Sequence, residues 1–183
     1  MPQSPGVSIR PLVPGDAEVA ASWARDVEFC RAADWSADRP YEQHVAFWRD
    51  LIQAPPPDLI RLGATNEGVL VGYVDLHGGD PMRRELGFVT GGRDRWGRGL
   101  GGRAAAAALQ HAFRDLRLGE VWAQALDANH RSVRLLTRLG MQETAHGDDG
   151  RFLGQPSFYR RFTLTASEWV TDRVPGPGGG GDG

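Results

Sequence analysis

The sequence predicts a mixed α/β layer protein, and three observations carry that expectation. A hairpin pattern occupies residues 60–76, strand-like and helix-like segments alternate from residue 85 to 164, and 183 residues suffice for one well-buried core. Val7, Ile9 and Leu12 open a first strand, and Pro14-Gly15-Asp16 then turns the chain, with Asp16 as the expected helix N-cap. Residues 17–53 carry Trp23, Trp35, Phe47 and Trp48 and read as one or two helices that pack on a sheet or wall a pocket. Pro55-Pro56-Pro57 ends this part. Ile60, Leu62 and Ala64 alternate with polar or small residues, Asn66-Glu67-Gly68 makes a turn, and Val69–Leu76 is nearly all apolar, which together form a β-hairpin. ELGFV at 85–89 is a further strand. Ala105, Leu109, Ala112, Phe113 and Leu116 recur at helical spacing and predict a helix over 99–118. A strand at 121–126, a helix at 132–139 stopped by Gly140 and a closing strand at 158–164 complete the order β-α-α-β-β-β-α-β-α-β.

Composition narrows the function classes. The formal charge of −2 argues against a general nucleic-acid or membrane-surface binder. No apolar run approaches the ~20 residues of a membrane helix, and MPQSPGVSIR lacks the order of a signal peptide, so a cytoplasmic protein is expected. Cys30 is the single cysteine, which excludes an internal disulfide, and the five histidines show no metal-ligand spacing. All 21 basic residues are arginine, a sign of codon bias, so arginine counts carry little weight. One domain is expected over residues 1–170, followed by a disordered Pro/Gly-rich tail over 171–183.

Chemistry concentrates at DRWGRGLGGR, residues 94–103, where Gly97, Gly99 and Gly102 match G-x-G-x-x-G. A dinucleotide turn needs its first glycine directly after the strand, and GGRDRW intervenes here. An NAD-binding oxidoreductase therefore stays only as a minor alternative, with Asp127 in place of the ribose-binding acid. A P-loop fails as well, because Arg98-Gly99 stands where Lys-Ser/Thr is required. Small residues entering a helix N-terminus still make an anion cradle, and residues 93–117 hold six arginines against Asp94 and Asp115. The plain alternative is a glycine turn that merely starts a helix.

ELGFVTGGRDRWGRGLGGRAAAAAL (85–109) followed by DANHRSVRLLTRLGM (127–141) resembles the acetyl-CoA-binding half of the GNAT N-acetyltransferase superfamily. SIRPLVPGDAEVAASWARD (8–26) resembles the opening of the branch similar to bacterial ribosomal-protein N-terminal acetyltransferases, so the likeness spans most of 7–165. The resemblance implies a GNAT fold, with a mixed central sheet, a splayed strand pair and helices on both faces. In the signature Q/R-x-x-G-x-G/A, Gly99-Leu100-Gly101 supply the second half, and Trp96 stands in the Q/R position. The resemblance implies that backbone amides from Arg98 through Gly99, Leu100, Gly101 and Gly102 to Arg103 grip the pyrophosphate of acetyl-CoA. It puts Val89 beside the pantetheine amides, and Asn129 and Ser132, as N-x-x-S, near the thioester. It also leaves room for a homodimer.

Acetyl transfer from a thioester to an amine needs a neutral amine, a stabilised oxyanion and a proton for the departing thiolate. Glu85 matches a glutamate often assigned as the base in the family; its plain alternative is an exposed strand carboxylate. Ser132 is the first candidate acid and Tyr159 the second, because many members use a tyrosine near this part of the chain. Cys30 lacks an identifiable histidine partner and reads as an inert buried thiol. The expected activity is direct acetylation of a primary amine on a protein N-terminus or small molecule. Amino sugars or aminoglycosides, polyamines and free amino acids are further acceptors, and a non-catalytic acyl-CoA-binding module is the rival outside catalysis. Specificity is expected in 17–58, around Trp23, Asp26, Trp35 and Tyr41: an acidic groove would suit a peptide or polyamine, and a closed apolar pocket a small amine.

Overall fold

The computed structural model describes residues 6–169; the predicted tail at 171–183 lies outside them. Seven strands form one sheet in the order β1-β2-β3-β4-β5-β7-β6. Strand β1 (Val7–Pro11) is followed by helices α1 (Asp16–Trp23), α2 (Val27–Ala33) and α3 (Tyr41–Gln53), then by strands β2 (Leu59–Asn66), β3 (Val69–His77) and β4 (Arg83–Thr90). Helix α4 (Leu100–Gln110) precedes β5 (Glu120–Leu126), and α5 (His130–Arg138) precedes the closing hairpin β6 (Gln142–Phe152) and β7 (Gln155–Thr165).

Local chemistry explains these elements and the departures from expectation. The β2–β3 turn has Glu67 and Gly68 both at positive φ, the geometry of a tight hairpin. Residues 17–53 make three helices rather than one or two, because the Asp26 side chain caps α2 by accepting the Glu28 and Phe29 amides. Asp16 is not the N-cap of α1; Gly15 is. The Asp16 carboxylate is turned back to accept the Val13 amide at 2.8 Å and the Arg10 guanidinium at 2.7 and 3.0 Å. The helix expected to reach Leu118 leaves α geometry at Gln110, continues as a π-helical turn over His111–Asp115, and breaks at Arg117, whose φ is +57°.

Two cores cover the two sheet faces. On one, Leu109 of α4 and Leu136 of α5 pack on Val74, Leu86, Val121 and Phe162. On the other, α1–α3 bring Trp23, Phe29 and Trp48 onto Leu70 and Tyr73, with Val89 and Trp96 at the margin. Of the expected specificity residues, Trp23 and Trp35 join this aromatic cluster, with Phe29 and Trp35 edge-to-face at 5.1 Å. Tyr41 lies beneath the Arg25 guanidinium. Asp26 is engaged by its cap and by Arg93.

Candidate active site

The sheet has one parallel pairing, and it is short. Strands β4 and β5 match only at Arg83–Glu120, Arg84–Val121 and Glu85–Trp122, and beyond these the strands part. The Gly91 amide donates to the Val71 carbonyl at 2.8 Å, so backbone alternation along β4 turns Val89 toward β3 and Phe88 and Thr90 toward the slot. The slot-facing carbonyl of Thr90 accepts the indole N–H of Trp96 at 3.0 Å. Phe88 therefore carries slot-facing peptide groups along the separated edge.

The loop after β4 is built on glycines that no other residue replaces easily. A Cβ on Gly91 would lie 2.1 Å from the Trp23 ring. Gly92, Gly97 and Gly99 have φ of +79°, +78° and +73°. Between them, Arg93–Arg95 form a 3-10 turn fastened to α2 by Arg93, which pairs with Asp26 and Glu28, and to β4 by Arg95, which donates to the Gly91 carbonyl at 3.0 Å. Gly99 is the N-cap of α4 and has no side chain to satisfy the first-turn amides. Of the six cradle residues, Leu100 and Gly102 are buried and Gly99 is exposed. The Arg103 amide bonds the Gly99 carbonyl at 3.2 Å, and its guanidinium bonds the Arg98 carbonyl at 3.0 Å. Helix geometry thus leaves the amides of Leu100, Gly101 and Gly102 without an acceptor inside the helix. Gly101 lets α4 start against the strand: a Cβ there would meet Thr90 Oγ1 at 2.9 Å.

Trp96 ties this mouth together. Its N–H holds Thr90, its ring lies 6.4 Å from Phe29 of α2, and the Arg131 guanidinium of α5 sits 5.6 Å from its ring centre.

On the face covered by α1–α3, Glu85 is half-buried at the point where the strands separate. Burial pushes its carboxyl above the usual range, against a hydrogen bond from Gln124 and the positive charge of nearby groups including Arg161 and Arg83. It borders a cavity of about 320 Å³ lined also by Leu59, Arg61, Asp75, His77 and Gly87. Arg61 donates to both oxygens of Asp75 at 2.7 Å and lies 4.3 Å above the Tyr73 ring. His77 meets Asp58 at 3.2 Å on the rim. Across the separation, Arg83 and Arg161 flank the Trp122 ring at 5.2 and 5.9 Å.

The remaining sequence candidates lie at the far end of β5. Asn129 caps α5, its side chain accepting the Ser132 amide at 3.2 Å, so Ser132 stands in the first helical turn on the α4/α5 side. Tyr159 pairs with Leu126 across β5–β7. Phe162 and Leu164 enter the α4/α5 core, so alternation turns Tyr159 to the opposite face, shared with Glu85. Its ring packs on β6, where a Cβ on Gly150 would come within 3.1 Å. Cys30 is buried, donates to the Ala24 carbonyl at 3.4 Å, and burial pushes its thiol up, away from nucleophilic use. No cluster of three metal-ligating side chains occurs among the described residues. No helix among them is long and apolar enough to cross a membrane.

Sequence reasoning missed Asp75, Arg61, His77 and Gln124. The signal for Asp75 was present, as the one charged residue in the apolar run VLVGYVDL, where a carboxylate needs a partner.

A short parallel pair thus splays beside a glycine-capped helix, and comparison with known proteins gives the class of enzyme. A family model described as an acetyltransferase (GNAT) domain matches residues 7–142. Among solved structures, a GNAT-family acetyltransferase from Bacillus anthracis superposes with a TM-score of 0.75 at 18% identity, covering 91% of this chain and 98% of the other. A spermidine N-acetyltransferase from Vibrio cholerae, in complex with CoA and spermine, superposes with a TM-score of 0.76 at 16% identity, covering 90% and 98%. The chain belongs to the GNAT acetyltransferase family. It is an N-acetyltransferase with acetyl-CoA as its acetyl donor, and family membership removes the dinucleotide reading of the glycines.

Proposed function

We propose that this protein transfers the acetyl group of acetyl-CoA directly to a small cationic primary amine held on the α1–α3 face of the sheet. The observation that carries this reading is the half-buried Glu85 where β4 and β5 separate, bordering a cavity on one side and the unpaired β4 edge on the other. The first-turn amides of α4 fit a pyrophosphate, and the slot-facing peptide groups of Phe88 fit the amides of pantetheine. Arg98 and Arg103 add positive charge beside them. Acetyl-CoA supplies the activated acyl carbon. Glu85, with its carboxyl raised by burial, takes the proton that the acceptor ammonium must lose before its nitrogen bonds that carbon. As the carbon–sulfur bond breaks, Ser132 passes a proton to the sulfur and takes up the one that the attacking nitrogen sheds on becoming an amide, with Tyr159 the second candidate for that relay.

A second acceptor reading is a protein N-terminus, favoured by the likeness of residues 8–26 and the W-G-R-G stretch to the ribosomal-protein acetyltransferase branch. A panel of small amines, aminoglycosides and short peptides, followed by release of free thiol from acetyl-CoA, separates the readings. Turnover of small amines at least ten-fold faster in kcat/KM than of peptides is expected; the reverse order makes the second reading correct. Ser132→Ala is expected to lower kcat about 10²-fold, the scale of a general acid, and a larger loss in Tyr159→Phe would reassign the acid. Tight coenzyme A binding with no turnover in any arm would make the protein a binding module instead.

A further inference from the structure

Gly87 leaves a gap in an otherwise filled row of side chains, and Asp75 lies behind it. Gly87 is directly opposite Asp75 in the β3–β4 ladder, and Glu85 lies two residues earlier on the same strand and face. Asp75 and Glu85 are thus diagonal neighbours, with Cβ atoms separated by about 7 Å. A Cβ on Gly87 would sit 3.5 Å from Asp75 Cβ and 3.8 Å from its Oδ2, an ordinary contact without a clash. A β-carbon is therefore sterically allowed at position 87, and a branched side chain built on it would lie over the carboxylate. Glycine keeps Asp75 open to the cavity.

Asp75 is also held in one orientation. Arg61 bonds both its oxygens, and Arg61 is itself stacked on Tyr73 and 5.2 Å from the Trp48 ring. Each carboxylate oxygen keeps a lone pair that this arrangement does not use. A pair already neutralised by Arg61 needs no second cation for folding, yet the cavity presents it beside Glu85. Counting Arg61 against Asp75 and Glu85, the lining carries a net negative charge, and the nearby rim pairs His77 with Asp58. The opposing cations are Arg83, which is paired with Glu120, and Arg161, one strand beyond Gln124, where its Nη2 faces Asp148 at 3.6 Å.

We infer that the acceptor carries a second cationic nitrogen a few methylenes from the one acetylated, and that Asp75, exposed over Gly87, reads that second charge. This rests on the reading of Glu85 as the group that receives the acceptor's proton. Asp75 is a specificity residue: it contacts the end of the acceptor that does not react.

The test compares 1,4-diaminobutane with n-butylamine in the acetyl-CoA thiol-release assay. The wild type is expected to favour the diamine at least ten-fold in kcat/KM. Asp75→Asn is expected to erase that preference through the KM of the diamine. Because Asp75→Asn leaves Arg61 without its charged partner and endangers folding, Gly87→Val is the second variant. It keeps the ion pair, covers the carboxylate, and is expected to cost the diamine ten-fold or more while the KM of acetyl-CoA stays unchanged. Calorimetric titration of 1,4-diaminobutane into the protein saturated with coenzyme A gives a readout independent of turnover, with binding lost in Gly87→Val. Equal rates for the two amines in the wild type, equal losses for both in the variants, or no diamine binding overturns the inference. Glu85→Gln keeps the failures apart: if it retains full turnover with the diamine preference intact, the base assignment falls and Asp75 stands.

Discussion

Glu85 and Asp75 are carboxylates on neighbouring strands, and their surroundings set them to different tasks. Asp75 is locked by Arg61, whereas Glu85 has burial working against its charge and one neutral hydrogen-bond partner, Gln124. The folded protein therefore holds the Glu85 proton more tightly than the unfolded chain does. The stability this group contributes is complete below its ordinary value near 4.5 and is lost as pH rises through the higher folded value. Glu85→Gln is expected to raise Tm relative to wild type at neutral pH and to lose that advantage below pH 4.5. The same substitution is expected to lower kcat/KM about 10²- to 10⁴-fold and to abolish its rise with pH on the acid side, as removal of a general base would. A pH–rate profile and a thermal melt series on the one variant check both signs. An unchanged acid limb would show that another group accepts the proton.

At the scale of elements, the contact that matters most for the cofactor mouth is the Trp96 clasp between β4, α2 and α5. Trp96→Phe keeps the ring beneath Arg131 and beside Phe29 but removes the donor to Thr90. With a buried hydrogen bond worth about 1 kcal/mol net, the KM of acetyl-CoA is expected to rise about five-fold with kcat unchanged. Steady-state kinetics with acetyl-CoA varied decides it, and a fall in kcat alone would contradict the positioning role. Much of this architecture was legible in the residues. Apolar periodicity marked β3, α4 and β5, and Gly140, at φ +86°, ends α5 as its position implied. Strand β6 was not legible: QETAHGDDGRF has no apolar alternation, because an edge strand paired on one side and mostly exposed needs none. The acceptor pocket was expected in 17–58 from its aromatics; most of those rings fill the core, Trp23 and Asp26 border a second cavity with the 92–95 loop, and the acceptor cavity proposed above lies on β2, β3 and β4. Which face a charged strand residue occupies depends on register, and register across β2, β3 and β4 is a tertiary property.

Over the whole molecule, the sheet is joined across the slot by three residue pairs, while α4 and α5 close one face and α1–α3 close part of the other. The loop proposed to receive the donor is fastened to the helices on the proposed acceptor side at two places. Gly91 is seated against the Trp23 ring of α1, and Arg93 bridges to Asp26 and Glu28 at the start of α2. Neither partner can shift without disturbing the other, so the two substrates meet parts of one mechanical unit. Any acceptor that tightens α1 and α2 must strengthen coenzyme A binding by the same factor that coenzyme A strengthens its own. The dissociation constant of coenzyme A, measured with and without saturating amine, gives that factor. A ratio of one would mean that the fastening is rigid but silent, and a ratio above one would make a glycine seated on a tryptophan the place where donor and acceptor sense each other.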